Sequence, residues 1–271
     1  MTHFQPVSHA LTLSATLLIA SCATTSSGGS SGAADTLPAV WAVGPDRLLE
    51  LDPSARIRPD ILPMYGGMER DERLLTAAGD AAFVAAVTKE FGSREAASQR
   101  WVEQGIRFYR VDEYEKAMMR FNQAWLLDDT NAGIYHGYAV VYQDHGSYLE
   151  AGQFAEQALE IGLADPRYRA DCVYMVVARE GALSGQRGGP PSAERIAELQ
   201  ARSESLLAAA ATDCTAEDRG YVETLRFKTR MLTGLYDKAW ESVAALDALG
   251  EPLDPKSVKQ LEAVVPRPAP R

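Results

Sequence analysis

The 271-residue chain is poor in the residues that usually carry chemistry, with four histidines, three cysteines and 8% aromatic side chains. It has no HExxH, no CxxC and no glycine loop of the Walker or dinucleotide type, so the short motifs of zinc, redox and phosphate chemistry are missing. His3 and His9 fall in the first ten residues. His136 and His145 stand nine positions apart, at opposite ends of one expected helix, and read as a groove residue and a helix-end residue rather than as ligands. Positive charge is also short. With 27 basic against 37 acidic residues the formal charge is -10, which repels a phosphate backbone and argues against nucleic acid as a partner. No apolar run reaches the roughly 18 to 20 residues of a membrane-spanning helix. Asp128-Asp129 and Glu69-Arg70-Asp71-Glu72 read as helix ends and solvated charge, not as a general acid and base. The sequence therefore nominates no catalytic residue, no metal ligand, no cofactor and no small-molecule substrate, and the expectation is a protein that catalyses nothing.

The amino terminus carries the first positive signal. Ala10 to Ala20 is a short apolar stretch ending in Ile19-Ala20-Ser21-Cys22. This ending resembles the lipobox of bacterial lipoproteins, although the leading segment has no Lys or Arg. The resemblance implies a signal peptide over 1–21 and a mature chain that starts at an acylated Cys22. Ala23, where an Asp would suggest inner-membrane retention, favours the outer membrane facing the periplasm. Residues 22–38 are rich in Gly, Ser and Thr, bury too little apolar surface to fold, and are expected to be a disordered tether. About 16 such residues span roughly 20 to 24 Å. Residues 39–70 read as an irregular, turn-rich segment, 71–263 as a helical domain, and 264–271 as a disordered tail.

The strongest signal is self-similarity at 34 residues. Trp101 repeats as Tyr135, Gly105 as Ala139, Phe108 as Tyr142, Tyr114 as Tyr148, Ala117 as Ala151, Ala124 as Ala158 and Leu127 as Ile161. The segments 98–131 and 132–165 resemble tetratricopeptide helix-turn-helix units, with two departures: Ala155 stands where Phe121 is expected to repeat, and Asp129 replaces the closing proline. Small residues opposite bulky ones let antiparallel helices approach, and a hairpin that cannot hide both faces must stack. The predicted fold is all-α, a right-handed superhelix of about three to four such hairpins. Capping boxes are expected at Asp112-Glu113-Tyr114-Glu115 and Ser147-Tyr148-Leu149-Glu150. A third hairpin is expected from helices near 166–183 and 192–211. A fourth follows Thr215-Ala216-Glu217-Asp218, with Gly234 to Ala239 repeating the Gly-x-Tyr-x-x-Ala turn of Gly146 to Ala151. LDPKSVKQLEAVV closes the stack as a polar capping helix. A helix within 71–92, interrupted at Gly79, packs on the first hairpin through Phe83, Val84, Val87 and Phe91. The PMYGG and RFNQAWLLD stretches resemble those of uncharacterised proteobacterial tetratricopeptide proteins, a resemblance over roughly 60–160 that implies a fold without an activity.

By this resemblance the first helix of each hairpin lines a concave groove. It would show Val102, Ile106 and Tyr109, then His136, Val140 and Gln143, a surface suited to an apolar or helical partner segment. The alternative is that Val102, Ile106 and Val140 simply pack against neighbouring helices. Cys172 and Cys214 are either a disulfide or one buried thiol and one loop thiol. The functional expectation is an envelope adaptor held to the membrane through Cys22 and binding other envelope proteins; the other reading is an accessory or regulator of a peptidoglycan-processing enzyme. Oligomeric state is not legible.

Overall fold

Helices begin where short polar side chains meet the free amides of a first turn. In the computed structural model, which describes residue 41, residues 58–67 and residues 76–268, Ser93 accepts from the Ala96 amide and Asn131 from the Gly133 amide. Asp165, Ser192 and Asp254 cap three later helices in the same way, two of them followed by proline. The described residues hold ten α-helices. They are α1 (Thr76–Phe91), α2 (Arg94–Tyr109), α3 (Tyr114–Leu127), α4 (Ala132–Asp144), α5 (Tyr148–Ile161), α6 (Pro166–Arg187), α7 (Ala193–Asp213), α8 (Arg219–Thr233), α9 (Tyr236–Leu249) and α10 (Pro255–Glu262). No strand occurs among them. Consecutive helices pack as antiparallel hairpins in a stack, the repeat architecture read from the sequence.

Four local expectations are corrected. α1 runs through Gly79 without a break. The second helices start at Tyr114 and Tyr148 as expected, but the first cap position is Glu113 rather than Asp112, and neither the Glu113 nor the Ser147 side chain bonds to a first-turn amide. α6 continues to Arg187, into the expected turn, with the Ser184 hydroxyl donating to the Glu180 carbonyl. The tail also starts folded: Val265 packs beside Trp240 and Leu261, and the Arg267 guanidinium lies 5.5 Å over the Trp240 ring. Signal peptide, Cys22 and tether lie outside the described residues.

The core of the first two hairpins turns on one ring. α3 buries Ala117, Met118, Phe121 and Ala124 on a single stripe. Phe121 is fully buried and lies against Gly105 of α2 and Gly137 of α4, so closely that a Cβ at either glycine would run into it. Burying such a ring contributes about 1.5–3 kcal/mol. In the next hairpin Ala155 takes the equivalent place, and Phe154 packs instead against Tyr138 and Tyr142 at 5.3 and 5.7 Å.

Residues 58–67 lie along α3. Fully buried Asn122 donates to the carbonyls of Asp60 and Leu62 (2.8 and 2.7 Å) and accepts from the Tyr138 hydroxyl at 2.7 Å. That hydroxyl accepts in turn from the Met64 amide. These bonds hold Met64, Tyr65 and Gly66 in a left-handed run at φ 50°, 56° and 76°. Trp41 is also fully buried: its indole donates to the Ile61 carbonyl at 2.9 Å, its carbonyl accepts from Ser147, and its ring meets His145 edge-on.

The last hairpins are joined by charge. Arg230 of α8, 2% exposed, donates to both Glu204 oxygens of α7 at 2.8 and 2.9 Å, and to the Lys238 carbonyl and Ser242 hydroxyl of α9. Burial works to raise the Glu204 pKa, but Arg230, with Arg226 and Lys238, outweighs it and holds the carboxyl at about 2. Glu180 plays a similar part between α6 and α7, accepting from Arg195 at 2.8 Å.

Candidate functional site

The first helices of successive hairpins, α2, α4, α6 and α8, touch one another, whereas the second helices scarcely meet. A stack converges on the inner side of its curve, so the first helices line the concave face. The sequence-nominated residues stand on these helices, but they are not equally available. Val102, Ile106 and Val140 are 4%, 7% and 7% exposed and belong to the main core. This corrects the expectation of a broad apolar surface. The cause is close packing: a Cβ built on Gly133 of α4 would meet the Val102 side chain at 3.0 Å. Tyr109 and Gln143 are partly exposed.

His136 is buried but engaged. Its Nε2 lies 3.0 Å from the Asp171 carboxylate of α6, and Tyr168 stacks on its ring at 4.2 Å with planes 15° apart. The same carboxylate accepts from the Tyr221 hydroxyl of α8. Arg167 lies 4.3 Å over the Tyr221 ring and pairs with Asp218 at 3.2 Å. One polar rung thus ties the first helices of three hairpins together. Burial, then the Asp171 charge and hydrogen bond, pushes the Tyr221 phenol well above its ordinary pKa. Burial and Asp144 do the same for Tyr109. Neither phenol ionises near neutral pH, so both act as hydrogen-bond donors and apolar plates. His136 Nδ1 is buried without a partner among the described residues.

Tyr168, Asp171, Tyr221 and Lys228 were not singled out from the sequence: Asp171 lies one residue off the 34-residue step from His136, and the long turn between α6 and α7 breaks the register before Tyr221 and Lys228. A signal was present in the matching turns: Gly234 corresponds to Gly146, so Lys228 occupies the place of Val140, six positions earlier in each case. Cys172 lies in α6 and Cys214 just after α7; both are buried and both thiols are free, so the pairing weighed from the sequence is not formed. Burial pushes the Cys172 thiol well above its ordinary pKa, which makes it a poor nucleophile. Among the described residues no cluster of His, Cys, Asp and Glu is placed to hold a metal ion. No helix among them is long and apolar enough to cross a membrane.

Fold and inner face together define a tetratricopeptide-like array of helical hairpins. The chain is similar to stress-induced-phosphoprotein 1 of Caenorhabditis elegans, 32% identical over 81 residues. That match covers 30% of this chain and 24% of the relative, so the chain spans about a quarter of the length of the curated protein it matches. No family model matches, and no solved structure does.

Proposed function

We propose that the chain is a protein-binding adaptor of the bacterial cell envelope, held to the outer membrane by lipid on Cys22, that captures a segment of another envelope protein on its inner face and catalyses nothing. The observation that carries the reading is the inner face itself. Tyr109, Tyr168 and Tyr221 present amphipathic plates on a surface preorganised by the His136–Asp171–Tyr221 rung, and rigid tyrosines bind with little loss of rotamer entropy. The nominated groove is narrowed accordingly: Tyr109 and Gln143 remain contact residues, while Val102, Ile106 and Val140 support it from beneath.

Photo-crosslinking in intact cells from position 109, followed by mass spectrometry, tests the adaptor reading. One or a few envelope proteins should be trapped, and the yield should fall in Tyr221→Ala. A trace that does not change between position 109 and an outer-face position such as Glu160 would defeat it. Acylation is tested separately: palmitate label should enter the native chain and be absent from Cys22→Ser.

A further inference from the structure

Lys228, on the inner face, has no ion-pair partner among the described residues. Lys228 of α8 occupies the place that Val140 holds on α4, and its ammonium lies 6.0 Å over the Tyr174 ring. It is half-buried, and burial works to lower its pKa. The other two basic side chains in this part of α8 are paired: Arg226 with Glu223 and Glu204, Arg230 with Glu204 and Glu241. Lys228 makes no ion pair or hydrogen bond among the described residues. Two carboxylates act on it at a distance, Asp171 and Asp254, and both are engaged elsewhere. Asp171 accepts from Tyr221 and lies against His136. Asp254 caps α10, accepting from the amides of Lys256 and Ser257 at 3.0 Å each and from the Ser257 hydroxyl.

An ammonium partly withdrawn from water with no anion beside it is a charge awaiting a partner. We infer that Lys228 anchors the side-chain carboxylate of an aspartate or glutamate in a protein segment lying along the inner face, with the phenols of Tyr168 and Tyr221 beside the same segment. The inference rests on the inner face being the binding face. A carboxylate fits better than a phosphate, because phosphate recognition uses clustered arginines and the nearby Arg167 is already held by Asp218 and the Tyr221 ring. With a chain charge of -10, long-range attraction does not favour an acidic partner. Selection is therefore local, at one position of the segment.

The test is a positional-scanning library of N-acetylated, C-amidated decapeptides screened against the full chain and against Lys228→Met and Lys228→Arg. Amidation removes the terminal carboxylate, so only side chains can supply the anion. The native chain should prefer Asp or Glu over Asn or Gln at one position by about tenfold, the range of a charge-assisted hydrogen bond. Lys228→Met should keep the preferences at the other positions and lose this one; Lys228→Arg should retain it. Thermal melts of both variants confirm folding, and the Met variant should melt no lower than the native chain because it removes an unpaired half-buried charge. Peptides that bind with no acidic preference, or with one that survives in Lys228→Met, overturn the inference and leave the adaptor reading standing. Binding only by free-acid peptides overturns it too. Absence of any binding that Tyr221→Ala weakens counts against both.

Discussion

Between α2, α3 and α4 the contact is mainly apolar and carries no buried charge: Phe121 fills the space over two glycines, with Ala117, Ala124 and Met118 around it. Between α7, α8 and α9 the contact is ionic, with Arg230 almost fully buried among Glu204, Glu241, Ser242 and the Lys238 carbonyl. The C-terminal hairpin also has its own small core of Phe227, Ala239, Trp240, Val243 and Leu261, separate from the main one. The same hairpin geometry is thus reached by two routes. Apolar interlocking is insensitive to pH and salt, whereas a buried ion cluster ties the end of the stack to the protonation of one carboxylate.

The contrast is tested hardest at Phe121. Phe121→Ala removes a fully buried ring between two helices that cannot close over the gap, and should lower stability by about 3–5 kcal/mol in denaturant titrations. Trp101 and Trp240 lie in opposite halves. If their fluorescence transitions shift equally, the halves unfold as one unit; if only Trp101 shifts, the ionic half stands alone. Arg230→Ala should follow at about 2–3 kcal/mol near neutral pH, since it removes a buried guanidinium with its charge-assisted hydrogen bonds and leaves Glu204 only Arg226 and Lys238. Here the Trp240 transition should move most, and a loss below about 1 kcal/mol would show that the pair is solvated in solution.

Acid gives a smaller and more specific effect. Glu204 is held at about 2 in the folded chain against an ordinary 4.5, so its contribution is fully present above about 4.5 and is lost as pH falls toward 2. About 1–2 kcal/mol, after allowance for solvent screening, should disappear across that window, and Glu204→Gln should flatten the profile there. His145 adds a second slope. Burial lowers its pKa from the ordinary 6.5, so the neutral form is favoured on folding and stability falls as pH drops below 6.5, an effect that His145→Phe should abolish. The smallest effect belongs to Ser147→Ala, which removes the hydroxyl that donates to Trp41 and should cost about 0.5–1.5 kcal/mol. It should appear as faster hydrogen exchange of the Trp41 indole N–H, which donates to Ile61, rather than as a global shift.

How much of this was legible in the sequence follows from what periodicity can encode. The landmarks Trp101 to Leu127 and their copies placed α2 to α5 to within a few residues, because packing of large on small residues leaves a direct 34-residue trace. The ion cluster left no such trace. Glu204, Arg230 and Glu241 are ordinary surface-type residues until three helices bring them together, and nothing in their local spacing marks Arg230 as buried. The candidate site was half legible. His136 was placed on the right helix, but its partner Asp171 lies one residue off the 34-residue step, at a separation of 35, and Tyr221 a further fifty along. The buried state of Val102 and Val140 was also hidden, since a groove position and a core position on the same helix share the same apolar residue types.

The docking of Trp41 has a mechanical consequence. Its indole and carbonyl join it to Ile61 and to Ser147, at the turn between α4 and α5. A pull on the chain ahead of Trp41 would therefore load its contacts with Ile61 and with the turn between α4 and α5. The array would then resist tension through two hydrogen bonds and one buried ring within its first two hairpins.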